Sequence, residues 1–346
     1  MRKNKTKIFV VMVSFIIAVL TVALFDFNLL LFGDGVWISK GFLTAVFFVL
    51  LALWIAFIAF FYVVFARAYK VEFKKDFCIQ PPFEYSPALV KMLSAYGDIA
   101  PAEISAVFSY FRALKYVDIS MTDDKEDRFI IKKLIDNDAI TSLLPHERYI
   151  FHWFFDIMGD GTSISHAQLS EYIRTASIDF CNCYDEWGGL IQSDVEESGF
   201  FFKYEKIRKA GKAIGILFMI AGTTAAYLSD KTVFFAFFLL GVILYSYCKN
   251  LSKRTLPGQR HFEKWMAYKR YLRAGVLNSG LDIEKIEKLR AEFHYVTVFG
   301  FAKQARMELD SHLDNCPHCT EAEEFEKELD VYECIAGSVS DCVDNK

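Results

Sequence analysis

The side chains with the greatest capacity for chemistry lie near the C-terminus. Cys316-Pro317-His318-Cys319 is a CxxC turn, His312 stands just before it, and Cys334 and Cys342 follow. Four thiolates, or three with His312, form a tetrahedral donor set for zinc. The second cysteine pair has seven residues between its members rather than two, so Cys316, Cys319, Cys334 and Cys342 make an irregular metal set. A mobile acidic tail is the competing reading, and in the cytoplasm these thiols would stay reduced rather than bridged.

Two other constellations carry reactive residue types. Cys181 and Cys183 with His166 supply a nucleophile and a base, but their spacing does not demand that role, and core or surface thiols are commoner. Residues 156–164 carry a trace of a calcium-binding loop. Setting Gly161 at its invariant glycine leaves Met158 at a ligand position and Ala167 where the bidentate Glu belongs, so a plain turn is expected. The sequence holds no Walker-type glycine loop, no HExxH and no GxSxG. No catalytic residue and no enzymatic activity are expected.

The elements that must carry these residues divide by hydropathy. Of 346 residues 53% are hydrophobic and 35 are Phe, and long uncharged runs place the chain among membrane proteins. The clearest such region is 213–248, two uncharged halves of about 16–17 residues around the break Ser229-Asp230-Lys231-Thr232. At about 1.5 Å per residue, each half nearly spans a hydrocarbon core of about 30 Å. Lys203, Lys206, Arg208, Lys209 and Lys212 precede this hairpin, and Lys249, Lys253, Arg254 and Arg260 follow it. The positive-inside rule puts both flanks in the cytoplasm. A first hairpin, 8–66, is likewise bounded by Arg2, Lys3, Lys5 and Lys7 and by Arg67, Lys70, Lys74 and Lys75. It opens like a secretory signal, but no small-x-small site follows, so an uncleaved hairpin is expected. Asp26 reads as an interfacial acid and the Gly222-Thr223-Thr224 step as helix packing.

Between the hairpins, residues 77–202 form an ordinary polar and apolar mixture. Ser86 caps a helix whose first position is Pro87, and Gly97 ends it. A second helix from Pro101 places Ile104, Val107, Phe108, Phe111 and Leu114 on one face. Two strands are expected at 116–120 and 128–131. Helix, helix and ribbon suggest a winged-helix-like unit. The order recurs with a helix over 146–158, a turn at Gly159-Asp160-Gly161, a helix from Ser165 to about Cys183, and a turn with strands over 188–202. The expectation is a tandem winged-helix-like module. It carries 9 Lys and Arg against 20 Asp and Glu, a net of −11. Phosphate neutralisation needs a basic footprint, so nucleic acid is not an expected partner. Residues 256–308 read as a membrane-proximal helical segment and 309–346 as the acidic, cysteine-containing tail.

Pro81-Pro82, Ser86-Pro87-Ala88, the 106–114 helix, Glu147, the central hairpin, and Leu256–Gly258 before Trp265, Tyr268 and Tyr271-Leu272 together resemble the YciQ-like predicted membrane proteins. Tyr295 and Gly300 match a closing aromatic and glycine motif. The resemblance spans about 81–305 and implies a bacterial membrane-plus-cytosolic region of unknown function. It supplies no catalytic residues. Family members carry an extracytoplasmic β-rich domain before this region and a Gly- and Ser-rich end after it. Here a hairpin and an acidic tail stand in those places.

The expectation is a multi-pass α-helical protein of the bacterial inner membrane with a cytosolic α+β module, both termini cytoplasmic. Its partners would be the lipid bilayer and an unidentified cytosolic or membrane protein. Phe83, Tyr85, Tyr110 and Trp153 are candidates for the contact surface. A membrane-tethered transcription regulator and a zinc-binding membrane protein are the alternatives.

Overall fold

Ser86-Pro87 sets the first helix by purely local means. In the computed structural model Ser86 keeps a non-helical backbone (φ −58°, ψ 148°), and its Oγ accepts from the Leu89 amide at 3.3 Å. Pro87 takes the first turn, where a missing N–H costs nothing. The structure describes residues 68–71, 77–96, 99–122, 127–229, 235–249, 251–277, 280–316 and 319–344, with positions 49, 52, 56, 63 and 65. Helix α1 (Pro87–Ser94) is followed by α2 (Ala102–Ala113). α2 closes in a Schellman turn, with Tyr116 N donating to Phe111 O at 2.8 Å and Lys115 N to Arg112 O at 2.9 Å. Lys115 holds φ 59° there, a conformation usually left to glycine.

Strands β1 (Val117–Met121) and β2 (Phe129–Lys133) pair antiparallel, close to the expected positions. After a turn of helix at Asn137–Ile140 comes α3 (Pro145–Phe151), which widens into a π-helix over His152–Met158. Trp153, Phe154 and Phe155 are all buried, so that stretch is enclosed on more than one face. A short strand, β3 (Ser163–Ser165), then pairs antiparallel with β2. The register sets Ile119 opposite Ile131 and Ile131 opposite Ile164, giving the three-stranded sheet one buried face.

Ser165 caps α4 (His166–Thr175) through a capping box with Gln168, and α5 (Ser177–Glu197) follows. α5 overturns one expectation. Residues 188–197 are helical, not a turn with strands. Phe180, Tyr184, Trp187, Ile191 and Val195 recur at helical spacing and are buried, which outweighs about 1 kcal/mol of helix propensity lost at each of Gly188 and Gly189. The second half of the module therefore has no ribbon of its own. Its one strand, β3, joins the first ribbon instead.

α6 (Glu205–Ser229) and α7 (Phe235–Lys249) lie in one compact unit, while the elements of 69–202 and 254–346 form another. α6 and α7 run antiparallel and touch through glycine. A Cβ on Gly241 would fall 2.7 Å from Gly215 O, and one on Gly222 would fall 2.5 Å from Phe238 N. Small residues permit this backbone approach, as between membrane helices. The Thr223 and Thr224 hydroxyls donate back to Met219 O and Ile220 O, consistent with a packing role for the Gly222 step. Among the described residues no helix is long and apolar enough to cross a membrane. The expected hairpin over 8–66 lies, apart from isolated positions, outside the described residues.

The chain then contributes α8 (Leu256–Tyr271), continued by a π-turn at Leu272–Val276, α9 (Ile283–Ala291), α10 (Phe293–Val298), α11 (Ala302–Asn315) and α12 (Thr320–Asp344). The acidic tail is thus largely helix. Phe325, Leu329, Tyr332, Ile335 and Val339 line one face of α12 and are buried in the same hydrophobic core as α1, α2 and the sheet. Phe293 meets both Phe325 and Tyr332 at ring-centroid distances of 5.6 Å.

Candidate functional site

The polar centre of the larger unit joins three segments distant in sequence. Ser86 precedes α1, His146 sits in the first turn of α3, and Asp194 lies near the end of α5. Ser86 Oγ is 2.9 Å from His146 Nε2, and His146 Nδ1 is 2.5 Å from Asp194 Oδ2. The His146 backbone amide also donates to Asp194 Oδ2 at 3.2 Å. Every group is satisfied when Nδ1–H donates to the carboxylate, Nε2 accepts from the Ser86 hydroxyl, and Ser86 Oγ accepts from Leu89 N. This is the connectivity of a Ser-His-Asp triad. The three residues are only 3%, 0% and 9% exposed, so the groups bind one another rather than anything from solvent. Their hydrogen bonds fasten the start of α1, α3 and α5 together.

Beside this centre an aromatic and polar layer ties the segment before α1 to the C-terminal helices. The Tyr85 hydroxyl is 2.8 Å from His261 Nδ1, Phe83 stacks on His261 at 4.2 Å, and the Tyr295 hydroxyl donates to Tyr85 O at 2.9 Å. Trp265 packs on Tyr295 at 4.8 Å, and the Tyr268 hydroxyl donates to Glu292. Arg254 donates to Leu93 O and Ser94 O, closing the C-terminus of α1, with its guanidinium 3.8 Å above the Phe262 ring. Burial raises the Glu147 and Glu292 carboxyls above the usual range and lowers the His261 imidazole. His294, enclosed beside Tyr110 and Tyr295 with no partner on Nδ1, is pushed down to about 3 by burial.

The residues expected to meet a partner fall mostly inside. Trp153 is fully buried and belongs to the core. Phe83 and Tyr85 are half-buried in the His261 stack, and Tyr110 is half-buried against His294. Aromatic residues at helical spacing bury large apolar areas, and here that demand decides their position.

The cysteine set is divided. Cys316 is exposed at the end of α11, Cys319 is buried just before α12, and Cys334 is half-buried on α12. At about 1.5 Å per helical residue, Cys334 and Cys342 lie roughly 20 Å and roughly 35 Å along α12 from Cys319. The helix therefore does not bring the four together. His312, Cys316 and Cys319 do line one cavity of about 650 Å³, with Glu321, Asp282 and Glu284. Among the described residues no group of three or more His, Cys, Asp or Glu is placed to hold a metal ion. His166 engages the Ser170 hydroxyl at 3.3 Å and packs on Phe129, while Cys183 sits beside the Tyr149 hydroxyl. Residues 159–163 form the plain turn expected. Asp160 accepts from the amides and hydroxyls of Thr162 and Ser163, which hold its carboxyl well below the usual range.

Sequence reasoning missed His146, Asp194 and Glu328. Ser86 was legible as a cap, but His146 is 60 residues away from it and Asp194 a further 48, and no local pattern marks such a pairing. Glu328 sits in an acidic run that reads as solvated. Its neighbour Arg112 is 2.6 Å away, and Arg290 donates to it from the other side. Burial raises its carboxyl, while the two arginines oppose that rise.

The fold and the polar centre thus define a mostly helical α+β domain with a small three-stranded antiparallel sheet, interrupted in sequence by a glycine-packed helix pair. Residues 74–309 match the C-terminal domain of the predicted membrane protein family DUF2207, and the chain belongs to that family. No curated protein and no solved structure matches it. α12 lies beyond the matched residues and still completes the core.

Proposed function

We propose that this is a multi-pass protein of the bacterial inner membrane that presents an acidic cytosolic module for protein–protein assembly. In this reading both termini are cytoplasmic, and the spans fall within 8–66 and 213–248. Membership of a predicted membrane protein family and the basic flanks support the topology. α1, α2 and the β1–β2 ribbon make one winged-helix-like unit, extended by β3.

The observation that carries the assembly role is the outward face of α5. Asp179, Asn182, Asp185, Glu186 and Glu197 are exposed along it, and Ile178 is 76% exposed at its start. An acidic stripe with an apolar tip on a module of net charge −11 suits a basic protein partner and repels nucleic acid. A photo-crosslinking residue at position 178 of the full-length chain in cells, with a matched probe at the equally exposed Met307, tests this. A discrete adduct at 178 that disappears with D179K and D185K supports the role. No adduct at 178, or the same adducts at both positions, overturns it.

A further inference from the structure

Charge is segregated within the larger unit. Residues 77–202 carry a net of −11, whereas residues 254–273, which hold α8, carry six Lys and Arg against the single acid Glu263. Glu263 is itself engaged, accepting from Gln259 Nε2 at 2.8 Å. At helical spacing Leu256, Arg260, Lys264 and Tyr271 fall on one face of α8. The segment from Phe77 to Phe83 lies along this face, antiparallel to the helix. Its Phe83 end stacks on His261 at 4.2 Å, with the Lys264 ammonium 4.8 Å over the ring. At its other end Lys288 Nζ, from α9, donates to Ile79 O at 2.7 Å and sits 4.7 Å over the Tyr271 ring.

Apolar and cationic groups are exposed here together. Ile79 is 65% exposed, Phe77 50% and Leu256 42%, although side chains of this size gain free energy by burial. Arg260 is exposed beside them, and Lys264 and Lys288 are half-buried against their aromatic rings. Cations interleaved with exposed apolar side chains suit an anionic lipid surface, where headgroups meet the charges and the acyl boundary takes the apolar groups. Chain length points the same way. The uncharged runs end at Ala66 and Cys248, 11 residues before Phe77 and 8 before Leu256, so those two residues lie within about 40 Å and about 30 Å of the run ends.

Given the membrane-spanning topology proposed above, we propose that the face of Phe77, Ile79, Leu256, Arg260, Lys264 and Lys288 rests on anionic phospholipid headgroups of the cytoplasmic leaflet. Phe77 and Ile79 enter the boundary between headgroups and acyl chains, and the three cations meet lipid phosphate.

Full-length protein in lipid nanodiscs tests this, with an environment-sensitive fluorescent amino acid in place of Ile79 or, as a control, of the comparably exposed Met307 on α11. Every disc holds the same share of phosphatidylcholine brominated in the upper acyl chain, the remainder being plain phosphatidylcholine or phosphatidylglycerol. With phosphatidylglycerol, bromine quenching at 79 is expected to exceed that at 307 about twofold or more. It should fall toward the control without phosphatidylglycerol, in high salt, and in R260Q/K264Q. Equal quenching at 79 and 307, in protein that sits in the discs, would overturn the lipid face and leave the spans standing. Quenching at 79 that ignores both lipid charge and R260Q/K264Q would do the same. Shielding of 79 from aqueous iodide without bromine quenching would assign the face to a protein cover instead. Protein that never enters the discs would remove the spanning topology and the lipid face with it.

Discussion

His146 and His312 face opposite situations within the same compact unit. Both ring nitrogens of His146 have partners in the chain, Ser86 and Asp194, and its backbone amide is held as well. His312 leaves Nε2 without a partner at the edge of a cavity that also holds two thiols. The His146 arrangement resembles a catalytic triad in connectivity but is sealed. The His312 ring has no such connectivity, and its Nε2 is shielded from solvent without a partner. Connectivity alone therefore does not mark a reactive site.

The strongest way to break that contrast is Asp194→Ala. It strands a buried imidazole N–H and a buried backbone amide together, and each donor left unsatisfied costs about 1–3 kcal/mol. Thermal unfolding of the full chain in detergent should show a large drop in midpoint. A drop comparable to that of an exposed α5 substitution would mean that the polar centre holds little together. Glu328→Gln comes next. It keeps the shape but weakens two charge-assisted contacts with Arg112 and Arg290, for an expected loss of about 1.5–3 kcal/mol. High salt should shrink that loss only slightly, because the carboxylate is buried.

His294→Phe probes the third histidine, which is buried without a partner on Nδ1. Its folded pKa, about 3, lies below the unfolded value near 6.5, so the neutral form favours the native state. That contribution is fully present above about pH 6.5 and is lost as pH falls toward about 3, where the unfolded chain binds the extra proton. The phenylalanine variant should match the parent to within about 1 kcal/mol at neutral pH and gain on it steadily below pH 6. Raised carboxyls at Glu103, Glu147 and Glu292 act in the opposite direction in both proteins, so the difference between the two curves isolates the histidine. A flat difference from pH 7 to pH 4 would show that His294 is already charged or accessible.

The smallest effect expected is that of His312→Ala, within about 0.5 kcal/mol, since its Nε2 has no hydrogen bond to lose. A loss as large as that of Asp194→Ala would place His312 among the fold's own fasteners and end the contrast.

Local chemistry made much of the first half legible. Ser86-Pro87, the Gly159–Gly161 turn, the Ser165 cap and the two strands of the ribbon all follow from propensities that act over three or four residues. Gly188-Gly189 misled for the same reason, because the local signal for a turn was outweighed by Trp187 and Ile191 reaching the core. The acidic tail misled in a related way. Its Glu run reads as solvated, while Phe325, Leu329 and Tyr332 between the acids carry the helix into the interior. The cysteines are legible by type, but the length of α12 sets Cys334 apart from Cys316 and Cys319.

What the amino-acid order determined alone is therefore the set of caps, turns, helical faces and uncharged runs, together with the acidic charge of residues 77–202. These depend on neighbours within a turn or two, and their energies are additive and local. The tertiary structure decided the Ser86–His146–Asp194 centre, the seating of Glu328 between two arginines, and the division of the cysteines. Each requires segments tens to hundreds of residues apart to meet, and packing of the shared core, rather than any motif, brings them together.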